Sequence, residues 1–204
     1  MDGVDGVDGE DEPADEPAGG RADDEPLQRA LQRWVADAAA DDAASDRARV
    51  RMLRSAAEDE STFAGVVVAL AERATPVTVR TTAGRAHRGR VVAVGRDFLV
   101  VRDAEAPPVF VAFRAAVSVR PVPGDRGPAL TGDRSPPLDA RLAAVLGAMA
   151  ADRPRVHAAV AGDSTLVAGE LHAVGADMAV LRGDDGASIY VNLEAVAEVV
   201  VHDL

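Results

Sequence analysis

The spacing of apolar residues predicts two helical runs in the first third of the chain. From residue 26 onward, apolar residues recur at intervals of three and four, which is the period of an amphipathic helix. The two stripes comprise Leu27, Leu31, Trp34, Val35 and Ala38, and then Val50, Leu53, Ala57, Ala64, Val67 and Ala71. A break near residues 40–45 separates the two runs. Residues 65–70 also fit a strand, but the run continues to Arg73 and therefore favours a helix.

After Thr75 the period changes to two. Val77 and Val79 alternate with polar residues, as in a strand with one buried face. The further short runs, separated by Gly, Asp or Pro-Pro turns, lie at about 88–95, 97–103, 108–114 and 117–120. Five short strands with no helix between them predict a small antiparallel barrel.

The second half of the chain begins with a Pro- and Gly-rich segment, residues 122–135, which predicts a linker. Ser135 and the two prolines after it predict the start of a helix. The apolar stripe of that helix comprises Leu138, Leu142, Val145, Leu146 and Met149. From Arg153 to Val201 the period of two returns, which predicts a second set of strands.

The two strand-rich regions resemble each other in the order of their glycines. The pair Gly89 and Gly95 matches Gly169 and Gly175, and an Asp follows two positions later in each copy. We therefore expect a duplicated unit of a helix and a barrel. The expected fold is mainly β with helices (α+β): an N-terminal helical segment, then two tandem five-stranded barrels, each preceded by a helix. The expected boundaries are a tail over 1–25, a helical segment over 26–60, units over 61–121 and 136–204, and the linker between them.

Composition limits the remaining possibilities. Residues 1–26 hold eleven carboxylates against one Arg, and residues 1–25 lack apolar periodicity, which predicts a disordered acidic tail. The absence of Cys excludes disulfides, Cys-ligated zinc and thiol catalysis. No apolar run approaches 18 residues and no signal peptide is evident, so we expect a soluble, cytoplasmic protein without a membrane partner.

The segment "AGRAHRGRVVAVGRDFLVVRD" joins a Gly-bearing turn, a second Gly and an apolar strand, and "VAFRAAVSVRP" adds a short strand, a tight turn and a strand ending in Pro. These motifs resemble the Sm-like proteins, most closely the bacterial Hfq branch, over residues 63–121 and more faintly over 138–201. Other SH3-like barrels are the alternative. The resemblance implies an RNA-binding fold that joins through its edge strands. The Lys-His pair of the Hfq RNA site is absent, and Phe113 and Arg114 stand near its place.

Charge distinguishes the two copies. Residues 73–120 hold nine Arg against three carboxylates, whereas residues 153–204 hold three Arg against eight carboxylates. A basic strand and turn surface is typical of contact with a nucleic-acid backbone. The candidate binding residues are Arg80, Arg85, His87, Arg88, Arg90, Arg96, Arg114 and Arg120. The alternatives are a solvated sheet face and pairing of the basic copy with an acidic surface, either the second copy or the tail.

No motif indicates catalysis. The four His show no metal-ligand spacing, and no nucleophile or nucleotide-binding motif is present. His157 and His172 lie on predicted strands of the second copy and could approach each other. We expect a non-enzymatic accessory protein without cofactor or metal that binds RNA or single-stranded nucleic acid. The alternative is a protein-interaction or scaffold module that forms homo-oligomers through its edge strands, with the tail as a solubilising or autoinhibitory arm.

Overall fold

The structure, a computed structural model, describes residues 24–130, 132–162 and 165–202. By its backbone contacts the chain divides into two compact units, Met1–Met52 and Leu53–Leu204. Nearly all of the predicted acidic tail lies outside the described residues. Within the described part of the chain, no helix is both long and apolar enough to cross a membrane.

Two helices precede the first strand. α1, Asp24–Asp59, is one continuous helix, so the break predicted near residues 40–45 is wrong. Alanine is the strongest helix former, and the alanines of that stretch keep the helix intact despite the two Asp between them. α2, Phe63–Glu72, confirms helix rather than strand over residues 65–70, but the second predicted run, from Val50 to Ala71, is divided between α1 and α2. Thr62 caps it, because the Thr62 Oγ1 accepts a hydrogen bond from the Gly65 N–H at 3.0 Å.

The five strands of the first half lie close to their predicted positions, and those of the second half lie within the region from Arg153 to Val201 for which strands were predicted. Those of the first half are β1 Pro76–Thr81, β2 Ala86–Val94, β3 Phe98–Arg102, β4 Val109–Ala112 and β5 Ala116–Pro121. Those of the second half are β6 Arg155–Val160, β7 Leu166–Val174, β8 Met178–Arg182, β9 Ser188–Asn192 and β10 Val196–Val201.

The strands form a single antiparallel sheet, and the prediction of two separate barrels is therefore wrong. The order is β5-β1-β2-β3-β4-β10-β6-β7-β8-β9. The two halves are joined where β4 pairs with β10, with Val111 opposite Glu198 and Phe110 opposite Val199. Alternation along the chain identifies strands but not the partner of an edge strand. An unpaired edge strand can pair with another strand. Here β4, at one edge of the first half, pairs with β10, at one edge of the second half.

Both halves have the same strand order, and each has a shift of register at the corresponding place in its second strand. The register shifts between Val91 and Ala93 in β2, and between Leu171 and Ala173 in β7. Arg90 lies opposite Arg102 in the first half, and Glu170 lies opposite Arg182 in the second. Positions in the two halves can therefore be matched strand by strand through their partners.

Two hydrophobic clusters lie on either side of the strands that join the halves. One contains Val77, Val79, Val91 and Leu99 under α2. The other joins Phe98 and Phe110 of the first half to the apolar residues of the second half. β3, β4 and β10 are buried on both faces over most of their length, because each cluster covers one side.

The helix of the second half begins later than predicted. α3 is Leu142–Met149, so Ser135 does not cap it and Leu138 remains partly exposed. The Leu138 N–H instead donates to the carbonyl of Val94 at 3.1 Å, and the Leu142 N–H donates to Asp97 Oδ1 at 2.8 Å. Contacts with the first half thus replace the local cap that the sequence suggested.

Candidate nucleic-acid interface

Five arginines lie on one face of the first half of the sheet. They are Arg80, Arg88, Arg90, Arg102 and Arg120, and all five are exposed. We call this set the arginine face. It spans four neighbouring strands, β5, β1, β2 and β3.

The strand register places these arginines on the same face. Arg88 and Arg120 both lie opposite Thr78, from the strands on either side of β1. Residues that face each other across an antiparallel pair share a face, so these two arginines lie about 10 Å apart. Arg88 and Arg90 lie on alternate positions of β2, about 7 Å apart. Alternation in the sequence had predicted that these two share a face, which the structure confirms.

The arginine face has little internal compensation. None of its five side chains has an ion pair or a side-chain hydrogen bond within the described residues. Arg90 and Arg102 are directly opposite each other, an arrangement that destabilises a sheet when both residues carry the same charge. Asp103 is the acidic residue among those that line the two open grooves beside Arg88 and Arg90. The face is therefore a surplus of positive charge that an anion would relieve.

Two of the predicted arginines, Arg96 and Arg114, instead bond to other parts of the protein. Arg96 pairs with Asp139, just ahead of α3. Arg114 donates from Nε to the carbonyl of Glu194 at 2.8 Å and from Nη2 to the carbonyls of Val196, at 2.9 Å, and Leu193. Arg114 therefore ties the turn after β4 to the turn between β9 and β10.

His87, on the opposite face of β2 from Arg88, and Arg85, just before β2, both lie against a buried carboxylate. Glu198 on β10 is 0% exposed. Its Oε2 accepts hydrogen bonds from His87 Nε2 at 2.7 Å and Thr81 Oγ1 at 2.8 Å. Arg85 Nε lies 2.7 Å from Oε1, although its N–H does not point at that oxygen. Attraction between the charges, rather than a directed hydrogen bond, holds Arg85 there.

The surroundings of Glu198 keep it ionised. Burial alone would raise its pKa, but the hydrogen bonds from His87 and Thr81 and the positive charge of Arg85 outweigh burial and lower the pKa below the ordinary value of 4.5. An ionised carboxylate only accepts hydrogen bonds, so His87 Nε2 carries a proton in this contact. This cluster connects the first hairpin of one half to the last strand of the other.

Comparisons with protein-family models, curated proteins and solved structures found no match. The second half of the chain itself offers a comparison for the site. The second-half positions that correspond to the arginine face are Ala159, Ala168, Glu170, Arg182 and Val200. Only one of them is basic, and the Arg182 Nη1 donates to the carbonyl of Gly186 at 2.7 Å. The arginine face therefore belongs to the first half alone.

The histidines of the second half form two separate pairs. His157 Nδ1 lies 3.2 Å from His202 Nε2, and His172 lies 3.1 Å from Glu170. His157 and His172, which could have approached each other by their places in the sequence, thus have different partners. Burial and the nearby His202 and Arg155 lower the pKa of His157. No group of three or more metal-ligating side chains occurs among the described residues.

Sequence reasoning missed two residues of this region. Arg102 was counted in the charge of the first half but not chosen for the site, although its place at the end of an apolar strand was visible. Glu198 stands alone in the apolar run "VAEVVV", a context in which a carboxylate needs partners. Those partners are far away in sequence.

Proposed function

We propose that the protein is a non-enzymatic accessory protein whose arginine face binds the phosphate backbone of RNA or single-stranded nucleic acid. The observation that supports this function most is the set of five uncompensated guanidinium groups on one sheet face. Arginine presents several N–H donors in a fixed plane and binds phosphate oxygens in pairs.

The side chains of this face favour recognition of the backbone rather than of bases. Phe98 and Phe110 are buried in the core, and Phe113 packs edge-on against Phe63 at 6.1 Å. The arginine face itself contains no aromatic side chain on which a base could stack. Binding is therefore expected to depend on charge and chain flexibility, with little sequence preference.

The test is an anisotropy titration of a labelled poly-pyrimidine RNA at low salt with the wild-type protein and the double variant Arg88→Ser/Arg90→Ser. Hydrogen bonds to charged groups contribute about 1.5 kcal/mol or more each, so we expect the loss of two to weaken binding by about a hundredfold. The control for charge is Arg155→Ser/Arg182→Ser, which removes the same charge from the second half, where Arg155 pairs with Asp184 and Arg182 donates to the carbonyl of Gly186. Equal weakening by both double variants, or no binding by the wild type, would overturn the proposal.

A second candidate function, a module that assembles head to tail, is supported by a difference between matched positions. Met178 and Tyr190 correspond to Phe98 and Phe110. Phe110 is 5% exposed because the second half covers it, whereas Tyr190 is 70% exposed. β9 and β5 are also the two edge strands of the sheet. The pairing of β4 with β10 could thus be repeated between the β9 of one copy and the β5 of the next.

Sedimentation velocity over a range of concentrations tests this assembly. We expect species larger than a dimer in the wild type and their loss in Tyr190→Glu, because the charge would be buried at the junction. Val92→Glu is the control, since Val92 is also exposed but lies on an interior strand. A wild type with no species beyond a dimer, or equal effects of both variants, would exclude head-to-tail assembly.

A further inference from the structure

The helix α1 exposes an unusual amount of apolar surface. None of its side chains from residue 25 to residue 59 is buried. The large apolar side chains that are 47% to 73% exposed are Leu27, Leu31, Trp34, Val35, Val50, Met52 and Leu53. Most of the stability of a helix in a protein comes from the packing of its apolar face, and contiguous exposed apolar surface marks a site of interaction.

Charge is segregated along the same helix. Four carboxylates, Asp37, Asp41, Asp42 and Asp46, form an acidic block with no basic residue among them. Four arginines, Arg47, Arg49, Arg51 and Arg54, follow as a basic block with no acidic residue among them. Within the part of the chain that the structure describes, no member of either block has an ion pair or a side-chain hydrogen bond.

We propose that α1 pairs antiparallel with α1 of a second copy of this chain. In a parallel pair the two acidic blocks would face each other, as would the two basic blocks, and both contacts would be repulsive. An antiparallel pair sets each acidic block against the basic block of the other copy. The order of the charges thus selects both the partner and its orientation.

The apolar spacing gives this pair a seam. Ala39, Ala43, Asp46, Val50 and Leu53 follow one another at intervals of four, three, four and three, which is the repeat of a coiled coil. A pair centred between residues 44 and 45 places Val50 of each copy against Ala39 of the other, so large side chains meet small ones. On one flank of the seam, Asp42 of each copy then lies beside Arg49 of the other, so the pair contains two such contacts. Asp46 is the polar residue of the seam, and such residues restrict the register.

Single cysteines test the orientation directly, because the chain contains no Cys. In the antiparallel pair the two copies of residue 43 are adjacent, whereas the two copies of residue 32, which continues the same repeat toward the start of the helix, lie about 38 Å apart. We expect Ala43→Cys to form a disulfide-linked dimer on mild oxidation and Gln32→Cys to remain unlinked. Equal linking at both positions would show a parallel pair, and no linking at either would show that the helices do not pair. Both results would overturn the proposal.

A charge exchange tests the partner contact, by sedimentation equilibrium of the full-length protein in the Tyr190→Glu background, which removes any head-to-tail contact. Because exposed ion pairs are weak individually and each substitution affects two of them, we expect Asp42→Arg or Arg49→Asp alone to weaken the dimer about tenfold. The double variant restores opposite charges across the pair and should recover the wild-type dissociation constant within about threefold. A monomeric background protein, single variants without effect, or a double variant weaker than either single one would contradict the pairing. If the acidic residues 1–25 occupied the basic block instead, Arg49→Asp alone would weaken the association and Asp42→Arg would not, which would also contradict the pairing.

Discussion

Replacing Glu198 with Ala is expected to destabilise the protein by about 3 kcal/mol, because removing one partner of a buried charged pair leaves the other unsatisfied. Arg85 and His87 would lose the carboxylate that holds them, and Thr81 would lose its acceptor. The side chain of Arg85 is 40% exposed and can reach water, which places the effect at the lower end of the range for buried pairs. Urea denaturation measures the loss. Glu194→Ala is the control, because Glu194 is exposed in the turn before the same strand, and it should change stability by less than about 0.5 kcal/mol.

The same carboxylate predicts how stability depends on pH. The pKa of Glu198 is lower in the folded protein than its ordinary value of 4.5. Its contribution is therefore present above pH 4.5 and is lost as the pH falls through the lower folded-state pKa. Glu198→Gln cannot titrate, so the difference in the free energy of unfolding between wild type and this variant should shrink on acidification. A difference that is constant from neutral to acid pH would show that Glu198 is not held ionised.

Gly95→Ala is expected to cost about 2 to 3 kcal/mol, because overpacking a core forces buried side chains out of place. A Cβ on Gly95 would lie 2.1 Å from Cε1 of Phe98, a ring that is 0% exposed. The ring cannot withdraw without disturbing the cluster that joins the two halves.

Gly175→Ala is the matched control, because Gly175 occupies the corresponding turn of the second half. There the nearest atom to a new Cβ is the Met178 Cγ at 3.5 Å, an ordinary contact with a flexible and partly exposed side chain. We expect a change below about 1 kcal/mol at this position. Thermal or urea unfolding of the two variants checks the comparison. Equal costs would contradict the clash with the Phe98 ring as the cause of the loss.

The strands were predictable from the sequence because most of them have one buried face. In β1, Val77 and Val79 are buried, and the residues that alternate with them, Pro76, Thr78 and Arg80, are partly or fully exposed. β4, "VFVA", and most of β10, "VAEVVV", show no such alternation, because both of their faces are buried. The absence of alternation in their sequences indicated that these two strands lie in the interior of a sheet rather than at its edge. Their pairing with each other could not be derived, since each edge had several possible partners.

The sequence predicted the candidate site only for residues whose face is set by the alternation of side chains along a strand. Arg88 and Arg90 fall on the face that the period of two assigned to them. His87 is odd-numbered and therefore lies on the other face of β2, and Arg85, just before the strand, joins it there. The charge count alone did not make this distinction. Their role depends on Glu198, more than a hundred residues away in sequence. Such a contact follows from the joining of the two halves, which local patterns do not encode.

The salt dependence of RNA binding tests the proposed function most directly. A titration of the labelled poly-pyrimidine RNA at several salt concentrations gives the slope of log K against log salt concentration. If all five arginines of the face contact phosphates of a single strand, the slope is about −3 to −4, and it falls by about 0.7 for each arginine replaced by serine. A slope near zero, a slope unchanged when Arg80, Arg88, Arg90, Arg102 and Arg120 are replaced together, or no binding at low salt would contradict the account.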